Sequence, residues 1–136
     1  SATGICRTML ELMGDKMDPS RLRSIPPDKL TSHMIFEAAQ QGDALALEAF
    51  ELTGNTLGAK LAESVAHTSP EAIILVGGLA AAGDLIFKPT KRSMEEHLLG
   101  IFKNKVKVLP SGLKQGNTAV LGASALIWDM LDRTKQ

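Results

Sequence analysis

The chain has 136 residues, 44% of them hydrophobic, and fifteen basic side chains balance fifteen acidic ones to a formal net charge of zero. That length supports one domain with a real core, and the balanced charge leaves no electrostatic footprint for a nucleic-acid backbone or an anionic membrane. A single cysteine, Cys6, excludes an internal disulfide framework and a multi-thiolate zinc site, and no apolar run nears the roughly 18 residues of a membrane span, so the cytoplasm is the compartment that suits the chain.

Ile5, Met9, Leu10, Leu12 and Met13 have helical spacing and predict a first helix that stops near Gly14. Residues 14–30 carry Pro19, Pro26 and Pro27 among Asp15, Asp18, Arg21 and Arg23, and read as a polar connection packed loosely on the surface. Thr31 or Ser32 is placed to cap a helix bearing Met34, Ile35, Ala38 and Ala39; Gly42 closes it and Asp43 caps the next. That next helix runs from about Ala44 to Val65, with Leu45, Ala49, Leu52, Leu57, Leu61 and Val65 on its apolar face. Gly54 and Gly58 open a groove in it for close approach of another backbone, although each glycine costs about 1 kcal/mol of helix propensity.

Ala72 to Val76 are apolar without alternation and predict a strand covered on both faces. Gly77 and Gly78 follow, where the absence of a Cβ permits conformations and approaches closed to other residues. Such a pair serves either a tight strand-to-helix connection or a ligand turn at the carboxyl end of a strand, where open α/β sheets bind their ligands. Asp84 to Phe102 are helical in pattern, and the helix either begins near Pro89 or is kinked there; Asp84 suits a cap better than a ribose contact. Lys105 to Leu109 alternate as a short edge strand ended by Pro110. Asn117 or Thr118 caps a final helix through Val120, Leu121, Leu126 and Trp128, whose Gly122, Ala123 and Ala125 form a smooth side expected to press on the sheet. Two strands fall short of the five or six, on average about that number, in a complete α/β sheet.

Few residues suggest chemistry directly. His33, His67 and His97 share no ligand spacing with Cys6, so no metal site is assigned. Glu95 and Glu96 are helix neighbours pointing apart, and Lys88, Lys91 and Arg92 read as a solvated face with at most a weak pull on phosphate, so no catalytic residue is assigned. The six methionines suit core gaps or a surface covered by another lobe.

The ordered segments TSHMIFEAAQQGDALALEAF, SPEAIILVGGLAAAGDLIFKP and KVKVLPSGLKQGNTAVLGASAL resemble the carboxyl-terminal part of ROK-family sugar kinases of the glucokinase type, from Ser1 to Leu126. The resemblance implies an α/β fold: a partial actin-like ATPase (ribonuclease H-like) domain, here a helix-rich C-terminal lobe fragment with few strands. Residues 1–30 would form a helix and irregular connection, and residues 31–136 the helices and the nucleotide-turn strand unit. It implies that the family's first phosphate loop, catalytic aspartate and zinc ligands lie upstream, with SATGI just after the zinc motif. The whole protein would use ATP and Mg2+ to phosphorylate a hexose, glucose first, and this fragment, inactive alone, would supply the adenosine side of the site. Gly77 and Gly78 fall on the family's nucleotide turn with Leu79 and Ala80 following, while Val76 stands where many members have a third glycine. Asn117 and Thr118 replace the family's usual aspartate and alanine, and only Asn117 keeps a role in shaping the adenine pocket. Other sugars implied are fructose, N-acetylglucosamine and N-acetylmannosamine. The family also implies a sugar-responsive repressor, with nucleic acid a partner only through an added DNA-binding segment. A homo-oligomer is expected, through the long helix near Gly54 and Gly58 or the first helix near Met9 and Met13.

Overall fold

A computed structural model describes residues 2–113 and 118–134, with no account of the side chains of residues 118 and 119. Helix α1 (Ala2–Asp15) buries Ile5, Met9 and Leu12, one stripe at helical spacing, and ends one residue beyond Gly14, where the sequence predicts its stop. Residues 16–30 are docked, which corrects the expectation of a loose connection. Two short 3-10 turns, Arg21–Ser24 and Pro27–Lys29, carry the segment, and Leu22 and Leu30 are buried beside it. The Arg23 guanidinium donates to the carbonyls of Met13 (2.8 Å), Lys16 and Asp18 (3.0 Å), satisfying acceptors that the end of α1 leaves open. Ser20 Oγ donates to Asp43 Oδ2 at 2.7 Å, and Lys16 Nζ reaches both oxygens of Glu48 at 2.6 and 2.7 Å.

Thr31 caps helix α2 (Ser32–Gln40), its Oγ1 accepting from the Met34 amide at 3.2 Å. Gly42 has φ of 83°, and Asp43 caps helix α3 (Ala44–Thr68) through Oδ1 and the Ala46 amide at 3.1 Å. One carboxylate therefore starts α3 and, through its second oxygen, holds the 16–30 segment. The buried face of α3 is Leu45, Ala46, Ala49, Phe50, Gly54, Gly58, Ala62 and Val65, shifted from the expected stripe so that Leu52 is exposed.

Helix α4 (Asp84–His97) starts at Asp84 and keeps Pro89 inside it, which rules out the start near Pro89. The missing proline amide frees the Leu85 carbonyl from its helical partner, and the ring finds its place on α3. A Cβ built on Gly54 would stand 2.5 Å from Pro89 Cγ, and one on Gly58 would stand 2.4 Å from the Thr90 carbonyl oxygen and 2.7 Å from the Met94 amide nitrogen. Both glycines thus admit α4 at backbone distance, and Ser93 Oγ closes the crossing by donating to the Asn55 carbonyl at 2.7 Å. The groove at Gly54 and Gly58 is filled by α4 of the same chain, and Met9 is fully buried while Met13 is half-buried.

Strands β1 (Ala72–Leu75) and β2 (Lys107–Pro110) pair in parallel, Ala72 opposite Lys107 and Leu75 opposite Pro110, with α4 in the crossover between them. Ile73, Leu75, Val106 and Val108 join the core, but Ile74 and Val76 are exposed, so β1 is covered on one face only among the described residues. Pleating sends successive side chains to opposite faces, and helices lie against just one of them. Helix α5 (Thr118–Arg133) also departs from expectation: Leu121, Leu126 and Trp128 are more than half exposed, and its smooth side is not pressed on the sheet. The helix is satisfied by its own backbone bonds, while its apolar face lacks a cover among the described residues.

Candidate functional site

The turn after β1 is built on two glycines in conformations that side chains resist. Gly77 has φ of 97° and ψ of 176°, and Gly83 has φ of 58° and ψ of −132°. Both lie in territory left nearly to glycine alone. Between them Gly78–Ala82 form a 3-10 turn, with the Ala80 amide donating to the Gly77 carbonyl at 3.1 Å. The Gly83 carbonyl then accepts from the Ile86 and Phe87 amides at 3.1 and 3.0 Å and opens α4.

Gly77 and Gly78 are exposed, and a Cβ on either would meet nothing within 4 Å. Among the described residues, main chain is therefore uncovered at the carboxyl end of a parallel strand, and the first amides of a helical turn have no acceptor within that turn. Leu79 and Ala80 are half-buried and rest on the core, which fixes the turn from beneath. Asn117 lies outside the described residues. Asp84 does not cap α4: it occupies the first helical position after Gly83 and pairs with Lys88 at 2.9 Å. A carboxylate there is still favoured by the helix dipole.

The other candidates are occupied by structure. Arg92 pairs with Glu51 and reaches Asn55 Oδ1 at 3.2 Å, and Lys91 lies 5.9 Å from the centre of the Phe87 ring. Glu95 Oε2 accepts the Asn104 amide at 3.0 Å, and His97 Nδ1 lies 2.8 Å from the Ser93 carbonyl. No group of three His, Cys, Asp or Glu residues that could hold a metal ion occurs among the described residues. Cys6 is half-buried with Sγ 3.5 Å from the Leu30 carbonyl, and burial pushes its thiol pKa up, the opposite of an activated nucleophile.

A cavity of about 430 Å3 adjoins the glycine turn. Gly78, Leu79 and Ala82 line it from the turn, His33 and Phe36 from the first turns of α2, and Phe50 from α3. The His33 and Phe36 ring centres are 6.5 Å apart with planes inclined at 55°. Sequence reasoning had no hold on this grouping. His33 reads as an ordinary histidine outside any ligand spacing, and nothing in the helical pattern singles out Phe36; the local signal is an i, i+3 aromatic pair just after the Thr31 cap.

Both the sequence and the fold are similar to those of known proteins. Residues 3–130 match the ROK family. A glucokinase of Thermotoga maritima is 29% identical over 101 residues, 74% of this chain and 32% of its own length. The Escherichia coli K12 DNA-binding transcriptional dual regulator NagC is 28% identical over 103 residues, 76% of this chain and 25% of its own. The crystal structure of a ROK family glucokinase from Streptomyces griseus, in complex with glucose and AMPPNP, superposes with a TM-score of 0.72 at 26% identity, covering 81% of this chain and 37% of that one. The chain thus spans between 25% and 37% of the length of these relatives.

Proposed function

Since the chain belongs to the ROK family and has part of its actin-like ATPase fold, we propose that the whole protein transfers the γ-phosphoryl group of ATP to a hydroxyl of a hexose, with glucose the leading substrate. This lobe supplies the adenosine side of the site. The observation that carries the reading is the main chain of Gly77 and Gly78, uncovered among the described residues, in a turn bounded by the glycine-only conformations of Gly77 and Gly83 at the carboxyl end of β1. Leu79 and Ala80 support that turn from the core side, and Asn117 is proposed to shape the adenine pocket.

Phosphoryl transfer needs positioned phosphates, Mg2+ to neutralise their charge and a carboxylate to take the sugar hydroxyl's proton. In this reading the proton acceptor and the family's zinc site belong to the rest of the protein, as the family resemblance implies, and Mg2+ comes with the nucleotide's phosphates. A homo-oligomer and a cytoplasmic location belong to the same proposal; no helix among the described residues is long and apolar enough to cross a membrane. The similarity to NagC supports a second reading, a sugar-responsive repressor that binds DNA through a separate segment.

A coupled assay of ADP release with ATP, Mg2+ and a panel of glucose, fructose, N-acetylglucosamine and N-acetylmannosamine tests the proposal on the full-length protein. Turnover greatest with glucose is expected, with none from the 136-residue chain alone. Sugar-dependent release from DNA without turnover would establish the repressor instead, and turnover by the isolated chain would overturn the division of labour between lobes.

A further inference from the structure

A cavity of about 270 Å3 lies beside β2, lined by Lys91, Met94 and Glu95 of α4 and by residues 106–109. Both faces of β2 contribute to it and β1 does not, so it runs along the edge of β2 that is turned away from β1. None of its lining residues belongs to the glycine turn or to the cavity beside that turn.

The hydrogen-bond ladder determines what this edge presents. The Lys107 amide donates to the Glu71 carbonyl and the Ser111 amide to the Leu75 carbonyl, each at 3.1 Å. Alternate residues of a strand bond to the same neighbour, so Val106 and Val108 turn their amides and carbonyls outward, and among the described residues no further strand lies beyond them. Pro110 has no amide to offer, which limits the edge to a short partner strand along residues 105–109. Lys103, Lys105 and Lys107 are exposed, and none has an ion-pair partner among the described residues. Glu95 is the one carboxylate lining the cavity, and its Oε2 is held by the Asn104 amide at 3.0 Å.

We propose that the outer edge of β2 docks an extended segment of a partner protein in which carboxylate and aliphatic side chains alternate, adding a third strand to the sheet. Lys105 and Lys107 stand on the uncovered face of β2, while Val106 and Val108 are buried on the other. A strand paired with this edge continues the same alternation: its carboxylates lie beside the two lysines and its aliphatic residues over the cavity, next to Met94 and Val108. Opposite charges across a ladder stabilise the pair and like charges destabilise it. A second copy of this chain would bring lysine against lysine, which is how natural edge strands bar self-pairing, so the edge is built for an acidic strand and against its own kind.

The test is titration of the full-length protein into a short fluorescein-labelled peptide of alternating glutamate and valine, followed by anisotropy and by hydrogen exchange of the protein. The expected result is saturable binding, with exchange slowed in the 105–109 segment and no binding of a lysine–valine peptide. Lys105→Glu combined with Lys107→Glu should weaken the glutamate–valine peptide about tenfold or more and let the lysine–valine peptide bind in its place. Lys107→Ala should cost about two- to fivefold and decides the matter if the double variant does not fold. No binding by the unsubstituted protein, or an affinity unchanged in the variants, would overturn the proposal. Binding without slower exchange at Val106 and Val108 would also overturn it, since charge alone would then hold the peptide. Exchange in the same segment that slows with rising protein concentration, without peptide, would assign the edge to a second copy and overturn the acidic partner.

Discussion

Gly77 and Gly78 are neighbours, yet substitution at each should fail in a different way. Gly77→Ala forces a side chain into φ of 97° and ψ of 176°. That region costs other residues about 1–3 kcal/mol, and the alanine also stiffens the unfolded chain. With open space around the added Cβ, no clash contributes, so the loss should be strain alone. Gly78→Val places its side chain at ordinary φ in open space, so stability should change by no more than about 0.5 kcal/mol. The valine does stand where the nucleotide is proposed to pass. In the full-length protein it should raise KM for ATP about tenfold or more, roughly 1.4 kcal/mol, with KM for the hexose unchanged. Urea denaturation of the chain and steady-state kinetics of the whole protein measure the two quantities. Gly78→Val as destabilising as Gly77→Ala, or raising both Michaelis constants equally, would refute the assignment of one glycine to folding and the other to ligand approach.

Three further substitutions probe the scaffold under the turn. Gly58→Ala should destabilise by about 1–3 kcal/mol in urea denaturation despite the better helix propensity of alanine, because its Cβ would meet the Thr90 backbone at 2.4 Å; an unchanged or raised midpoint would show that α4 can move away. Thr90→Val should stabilise by about 1 kcal/mol, since Thr90 Oγ1 is fully buried without a hydrogen-bond partner among the described residues, and a lower melting temperature would mean that the hydroxyl has one in solution. The hydrogen bond to Glu48 raises the Lys16 pKa above the ordinary lysine value. A raised folded-state pKa stabilises below the unfolded value and is lost as pH climbs through the folded one, so Lys16→Met should flatten the decline in stability above the lysine range while leaving its slope near pH 7 unaltered. An alkaline limb identical in both proteins would contradict that coupling.

The local punctuation of this fold is legible in the chain itself. Thr31 and Asp43 cap the helices their positions announce, because a short polar side chain beside a free amide acts within three residues and needs no distant partner. The strand at Ala72, the glycine turn and the existence of a second strand follow from equally local patterns, while its parallel pairing is visible only in the fold; the ordered segments carry the family resemblance. Burial was decided elsewhere. The fate of Pro89 depended on Gly54, thirty-five residues away, offering a notch for its ring, a pairing that neither residue announces alone. The proline-rich 16–30 segment is docked because Arg23 finds the carbonyls at the end of α1 and Asp43 has a second oxygen to spare. Apolar residues on α5 and on one face of β1 look like core in sequence and stand exposed, since hydrophobicity specifies a wish for cover and not the cover itself. The cavity beside the turn shows the same limit most clearly: His33, Phe36, Phe50 and Gly78 come from three separate elements, and only the packing of α2 and α3 against the turn brings them to one surface.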